Sequence, residues 1–127
     1  MAKKEFKYRG KTLDELKKLS LKEFAQLIRA RERRTLIRGL TEQQKILLEN
    51  IRKGAKTVKT HCRDMVVVPE MINITIMIHN GKAFTAIIMK PEMLGHRLGE
   101  FAITRRSLAH SAPGVGATKS SASASVK

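Results

Sequence analysis

Apolar and polar positions follow two different rhythms along this chain, and the change falls near its middle. In the first half, Thr12-Leu-Asp-Glu15, Ser20-Leu-Lys-Glu23 and Thr41-Glu-Gln-Gln44 each set a hydroxyl three residues ahead of Glu or Gln. This is the reciprocal capping box that opens a helix. Behind the first box Leu13 and Leu16 share a side. Behind the second, Leu21, Phe24, Leu27 and Ile28 recur at helical spacing toward a stop at Gly39, and behind the third Ile46, Leu47, Leu48 and Ile51 run to Gly54. Helices of this length are marginal alone, so their apolar stripes imply packing against a core or a partner.

The second half has a period of two. Asp64-Met-Val-Val-Val68, closed by Pro69, reads as a short strand. From Met71 to His79, Ile72, Ile74, Ile76 and Ile78 fall on one face and Asn73, Thr75, Met77 and His79 on the other. Asn80-Gly81 then predicts a type I′ hairpin turn, because both residues tolerate positive φ. The return strand runs from Ala83 to Lys90, with Phe84, Ala86 and Ile88 alternating, and Pro91 opens a short helix through Leu98. The expected fold class is α+β: a small, mostly antiparallel three-stranded sheet with short helices, preceded by a basic helical segment and followed by a flexible tail. The expected division is 1–56 for the helical segment, 57–110 for the α+β core and 111–127 for the tail. The tail is Ser, Ala and Gly with no large apolar residue beyond Val115 and Val126, so it cannot offset the entropy of ordering.

Charge narrows the class of partner. Among 127 residues, 26 are Lys or Arg and 11 are Asp or Glu, a formal net charge of +15. Up to Asp64 there are 19 bases and 8 acids, and beyond it 7 bases and 3 acids, so the helical half carries +11 and the rest +4. Such a surplus repels itself unless a polyanion or an acidic membrane face neutralises it. No apolar run approaches the ~18–20 residues of a bilayer span, and the N-terminus lacks the apolar stretch of a signal peptide. Cys62 has no intrachain partner, which suits a reducing cytosol. Aromatic residues are only 4% of the chain, which disfavours a sheet that binds nucleic acid by stacking bases. The expected place is the cytoplasm.

Several chemistries are tested by spacing and fail. His61 and Cys62 are adjacent while His79, His96 and His110 are scattered, so no pair of metal ligands has the spacing of a single turn. No metal or cofactor is expected, and Cys62 reads as a small apolar filler. Gly114-Val-Gly-Ala-Thr-Lys-Ser120 lacks the Gly before Lys, the leading strand and the following helix of a phosphate-binding loop. Asp14, Glu15, Glu23, Glu42 and Glu49 belong to caps or exposed helix faces, and no nucleophile has a base at a recognisable spacing. An enzyme is not expected.

Nucleic-acid binding is the positive case. Arg29, Arg31, Arg33, Arg34 and Arg38 crowd one helix with Glu32 as the only acid among them. Solvated helix faces normally mix signs in i,i+4 pairs, and the planar guanidinium grips phosphate oxygens bidentately. His79-Asn80-Gly81-Lys82 forms a hairpin tip that is either simply a good turn or a probe for a groove. Gly95-His96-Arg97-Leu98-Gly99 places two glycines in a short helical stretch, each costing up to ~1 kcal/mol relative to Ala. Either a phosphate approaches the backbone closely there or the glycines punctuate a turn. Arg105 and Arg106 follow Thr104 and extend the basic surface.

These blocks carry a resemblance. Met93-Leu-Gly-His-Arg-Leu-Gly-Glu-Phe-Ala-Ile-Thr-Arg105, with His79-Asn-Gly-Lys82 upstream, resembles the small-subunit ribosomal protein family numbered nineteen in bacteria and fifteen in eukaryotes. Lys59-Thr-His-Cys-Arg-Asp-Met65 and Pro69-Glu-Met71 look like that family's lead-in to its sheet. Phe6-Lys-Tyr-Arg-Gly10, Arg33-Arg34 and Arg38-Gly-Leu40 are similar to the N-terminal extension of the archaeal and eukaryotic branch. The tail from His110 through Pro113 to Ser121 is similar to that branch's, except that Ser111-Ala112 replaces Gly-Arg and Lys119 replaces His. The resemblance implies a structural protein in the head of the small subunit. It would bind the 3′ domain of the small-subunit RNA beside the ribosomal protein numbered thirteen in bacteria, with its tail toward the decoding region and A-site tRNA. It also implies RNA contact at His79, Asn80, Gly81, Lys82, Gly95, His96, Arg97, Thr104 and Arg105. Arg63 of the lead-in, Arg106 and the five helix arginines complete the expected RNA-binding set. Without the motifs, charge and size would fit a nucleoid or chromatin protein equally well.

Overall fold

The computed structural model describes residues 3–111 and 114. Most of the segment 111–127, and the flexible tail expected there, lies outside the described residues. All three capping boxes form: Thr12 opens α1 (Leu13–Lys18), Ser20 opens α2 (Leu21–Ala25) and Thr41 opens α4 (Glu42–Arg52). In each, the hydroxyl accepts from the third helical amide, while the side chain of that residue accepts from the capping residue's own N–H.

The second helix is shorter than its apolar stripe predicts. It ends at Ala25, the chain turns through Gln26–Arg29, and a separate helix, α3, runs from Ala30 to Arg38. Neither Gly nor Pro sits at this break, and a long-range cation stabilises it. The Arg33 guanidinium turns back and donates to the carbonyls of Ala25 (3.0 Å), Gln26 (3.4 Å) and Ile28 (3.1 Å), giving partners to the carbonyls that the interrupted helix leaves open.

Two antiparallel strands precede α1, β1 (Lys7–Tyr8) and β2 (Lys11–Thr12). Arg9 and Gly10 between them have φ of 52° and 81°, the pair of left-handed residues that a two-residue hairpin turn requires. The main sheet comprises β3 (Thr57–Thr60), β4 (Thr75–His79) and β5 (Phe84–Ile88), in that order. The α+β class is as expected, but the sheet is mixed: β4 pairs antiparallel with β5, and β3 runs parallel to β4 in the register Thr57↔Thr75 to Thr60↔Ile78.

The expected strand at Asp64–Val68 is not in this sheet. Met65, Val66, Val67 and Val68 are all buried, so their apolar character reflects burial on both sides rather than membership of the ladder. They make an irregular antiparallel seam with residues 95–99. Val67 N–H donates to the His96 carbonyl (2.7 Å), Gly95 N–H to Val67, Leu98 N–H to Met65 and Gly99 N–H to Arg63. The single helix expected from Pro91 to Leu98 is likewise replaced by two 3₁₀ turns, Pro91–Met93 and Leu98–Glu100. Gly95 between them sits at φ +80°, outside any helix.

Inward side chains of the sheet (Val58, Thr60, Ile76, Ile78) meet the helices. One hydrophobic cluster joins Leu16, Phe24 and Ile28 from the N-terminal helices, Leu47, Leu48 and Ile51 from α4, Met65–Val68 from the seam, and Leu94, Leu98 and Ala102. No described helix is long and apolar enough to cross a membrane.

Candidate nucleic-acid interface

α3 presents its charge outward. Arg29, Arg31, Arg34 and Arg38 are exposed, and Arg34 and Arg38 line a shallow groove with Ala30, Arg33 and Ile37. Ile37 is 59% exposed, so the groove sets an open apolar side chain among arginines. The helix's one acid does not share this face. Glu32 is 9% exposed and faces inward, where its Oε1 lies 3.8 Å from Nε of Arg97. Turning the carboxylate inward leaves only positive charges on the outer face.

Three arginines of the expected RNA-binding set use their donors inside the protein. Arg33 fastens the α2–α3 turn as described. Arg97 donates from Nη1 to the Asp64 carbonyl (2.6 Å) and from Nη2 to the Thr35 hydroxyl (3.0 Å), tying α3 to the seam. Arg63 spans three separate stretches: Nη1 donates to the His79 carbonyl (2.7 Å), and Nη2 to the carbonyls of Gly99 (2.8 Å) and Ala102 (2.6 Å). The close approach that the two glycines allow is also internal. A Cβ on Gly95 would lie 2.9 Å from Oη of Tyr8, and one on Gly99 2.9 Å from the Arg63 carbonyl oxygen. His96 Nδ1 lies 2.7 Å from Glu100 Oε2. Elsewhere Arg52 forks onto Glu70 at 2.8 and 3.0 Å, and that hydrogen bond and charge hold the Arg52 proton more firmly than usual.

The β4–β5 tip differs from the expected two-residue turn. Gly81 alone has positive φ (97°), and the loop closes over four residues after the His79↔Phe84 pair. The Asn80 side chain replaces a backbone turn: its Oδ1 accepts from Lys82 N–H (3.0 Å) and Ala83 N–H (2.9 Å), while His79 Nδ1 accepts from Gly81 N–H (3.0 Å). This leaves Lys82 exposed beside the extended stretch after Ala102. Asn80, Lys82, Thr104 and Arg106 line one groove, with Ile103 and Leu108 between them, and Arg105 opens onto a neighbouring groove with Thr85 and Phe101. Residues 79–82 and 104–106, far apart in sequence, therefore form one basic surface.

A group that sequence reading passed over lies on the outward face of the sheet. His61, directly after β3, stacks on His79 with centroids 4.4 Å apart and planes tilted by 32°. Phe84 meets both edge-on, at 5.1 and 5.0 Å, and Lys59 Nζ lies 5.4 Å from the Phe84 centroid. The parallel register Thr60↔Ile78 brings His61 beside His79, and no short-range signal discloses a parallel register.

A family model for ribosomal protein S19 matches residues 34–110. The chain belongs to this family. It is accordingly a structural, non-enzymatic component of the small ribosomal subunit that binds ribosomal RNA and acts in translation. The matched stretch of this S19-family chain takes in α4, the main sheet with its tip, and the seam with Arg63 and Arg97; α1, α2 and the β1–β2 hairpin precede it.

Proposed function

We propose that this S19-family chain fastens the 3′, or head, domain of small-subunit ribosomal RNA with two basic surfaces. One is the outer face of α3, with Arg29, Arg31, Arg34 and Arg38. The other is the tip His79–Lys82 with Thr104, Arg105 and Arg106. The observation that carries this reading is the inward turn of Glu32 onto Arg97, which leaves guanidinium groups as the only charges on the solvent face of α3. Arginines so placed take phosphate oxygens bidentately and let RNA helices pack without mutual repulsion. Arg33, Arg63, Arg97, Gly95 and His96 act behind these surfaces by holding the backbone that presents them. In this division the basic helical segment 1–56 and the core 57–110 each supply one surface. The segment 111–127 reaches toward the decoding region and A-site tRNA, and the ribosomal protein numbered thirteen in bacteria lies alongside.

The test is sedimentation of lysates from cells co-expressing the wild type and the double variant Arg31→Glu, Arg34→Glu, at high magnesium and moderate salt. The double variant is expected to fall at least tenfold below the wild type in the small-subunit peak, with unchanged thermal stability of the free protein. Equal incorporation would refute the α3 surface. Recovery of the wild type with DNA, and its absence from the small-subunit peak, would favour a nucleoid role instead.

A further inference from the structure

The outward face of the main sheet differs chemically from the arginine surfaces. Its residues alternate out of β3, β4 and β5 as Lys59, Met77, Phe84, Ala86 and Ile88, and the His61–His79 stack closes one end. Ile88 is 61% exposed, Lys59, His61 and Ala86 are exposed, and Met77, His79 and Phe84 are half-buried, so the described chain leaves this face open. None of the three strands contains an Asp or Glu. A mostly apolar face with rings, an ammonium group, the two hydroxyls of Thr57 and Thr75 and no carboxylate from its strands matches a ligand that is flat, apolar on its faces and anionic along its edge. An unpaired nucleotide has that chemistry.

We propose that the His61–His79–Phe84 cluster is a stacking platform for an unpaired base of the small-subunit RNA, with Lys59 taking the adjoining phosphate. This rests on the RNA-binding reading above and extends it from phosphate contact to base contact. A sheet that presents rings to splayed bases is a general solution for single-stranded RNA, and stacking tolerates any base because each has a π face. The low aromatic content of the chain argues against many such contacts. It does not argue against this one, because the register gathers Phe84 into a single patch with two histidines, which a count of Phe, Tyr and Trp omits.

The test uses small subunits washed free of this protein and rebinding of the labelled full-length chain. His61→Ala and Phe84→Ala are each expected to weaken rebinding roughly 5- to 150-fold, the range for loss of one base–aromatic stack. Phe84→Leu, which keeps apolar bulk without a ring, should lose as much, and Phe84→Trp should bind at least as well as the wild type. The slope of affinity against salt should stay unchanged in these ring variants, because no phosphate contact is removed. Wild-type rebinding by Phe84→Leu, or by the exposed His61→Ala, would overturn the platform. The Arg31→Glu, Arg34→Glu chain is the control: if it too rebinds like the wild type, the phosphate-binding reading has failed, whereas its loss beside unaffected ring variants condemns the platform alone.

Discussion

Arg63→Ala should cost this protein a large share of its stability, although an arginine in a basic RNA-binding chain invites a different reading. Its guanidinium holds the end of β4, the second 3₁₀ turn and the start of the C-terminal stretch through three bonds to the carbonyls of His79, Gly99 and Ala102, all 2.8 Å or shorter. A hydrogen bond to a charged group is worth about 1.5–3 kcal/mol net. The side chain is half-buried, so water can reach some of the abandoned carbonyls, and the low end of the range applies. Three such bonds, discounted further for that access, give a loss of about 3–4 kcal/mol. For a domain of this size that lowers the melting temperature by roughly 10–20 °C. The assay is thermal unfolding of the full-length chain by circular dichroism at fixed pH and salt. Arg63→Lys should recover less than half of the loss, since a single ammonium group cannot span the three carbonyls as the planar fork does. A shift of less than about 3 °C for Arg63→Ala would refute the argument and return that guanidinium to the surface available for RNA.

Arg97→Ala leaves the buried Glu32 without its cation, and a loss of about 2–4 kcal/mol is expected in chemical denaturation. Adding Glu32→Gln should restore part of it; strictly additive losses in the double-mutant cycle would show that the pair does not interact. Gly95→Ala faces both a φ of +80° and Oη of Tyr8 at 2.9 Å, so a loss of about 1–3 kcal/mol is expected. Tyr8→Phe in the same chain should relieve only the clash with Oη, leaving the positive φ and Ile28 Cγ2 at 3.3 Å, and full recovery would show that neither of these costs anything.

Sequence disclosed what depends on neighbours in sequence and concealed what depends on distant ones. The boxes at Thr12, Ser20 and Thr41 are three-residue signals between a hydroxyl and a nearby amide, and all three helix starts follow them. The alternation of Ile76 and Ile78 with Met77 likewise marks β4. The break after Ala25 carries no local mark, because its stabilising group is eight residues further on. The valines at 66–68 look like a strand because burial on two sides and sheet membership select the same residue types. Identifying β3 required knowing that a four-residue alternation from Thr57 would find a parallel partner. At the candidate interface, composition and spacing located the arginines but could not sort them. Arg31 and Arg34 face solvent while Arg33 and Arg97 face carbonyls, and only the folded chain distinguishes a cation that is offered from one already engaged.

Leu16 near one end of the core and Ala102 near the other belong to the same buried cluster, which sets an order of events during synthesis. At ~5–20 residues per second, the stretch between them takes on the order of 5–20 s to appear. Once Arg38 has appeared, α3 has its full complement of arginines while Glu32 still lacks Arg97, and Arg63, when it follows, still lacks the Gly99 and Ala102 carbonyls. The nascent segment is thus a polycation well before it is a finished fold, released into surroundings rich in nucleic acid. Closure of the core withdraws Arg63 and Arg97 from that competition and gives the remaining cations fixed positions, so the appearance of residues 97–102 converts indiscriminate attraction into a shape that one RNA can match.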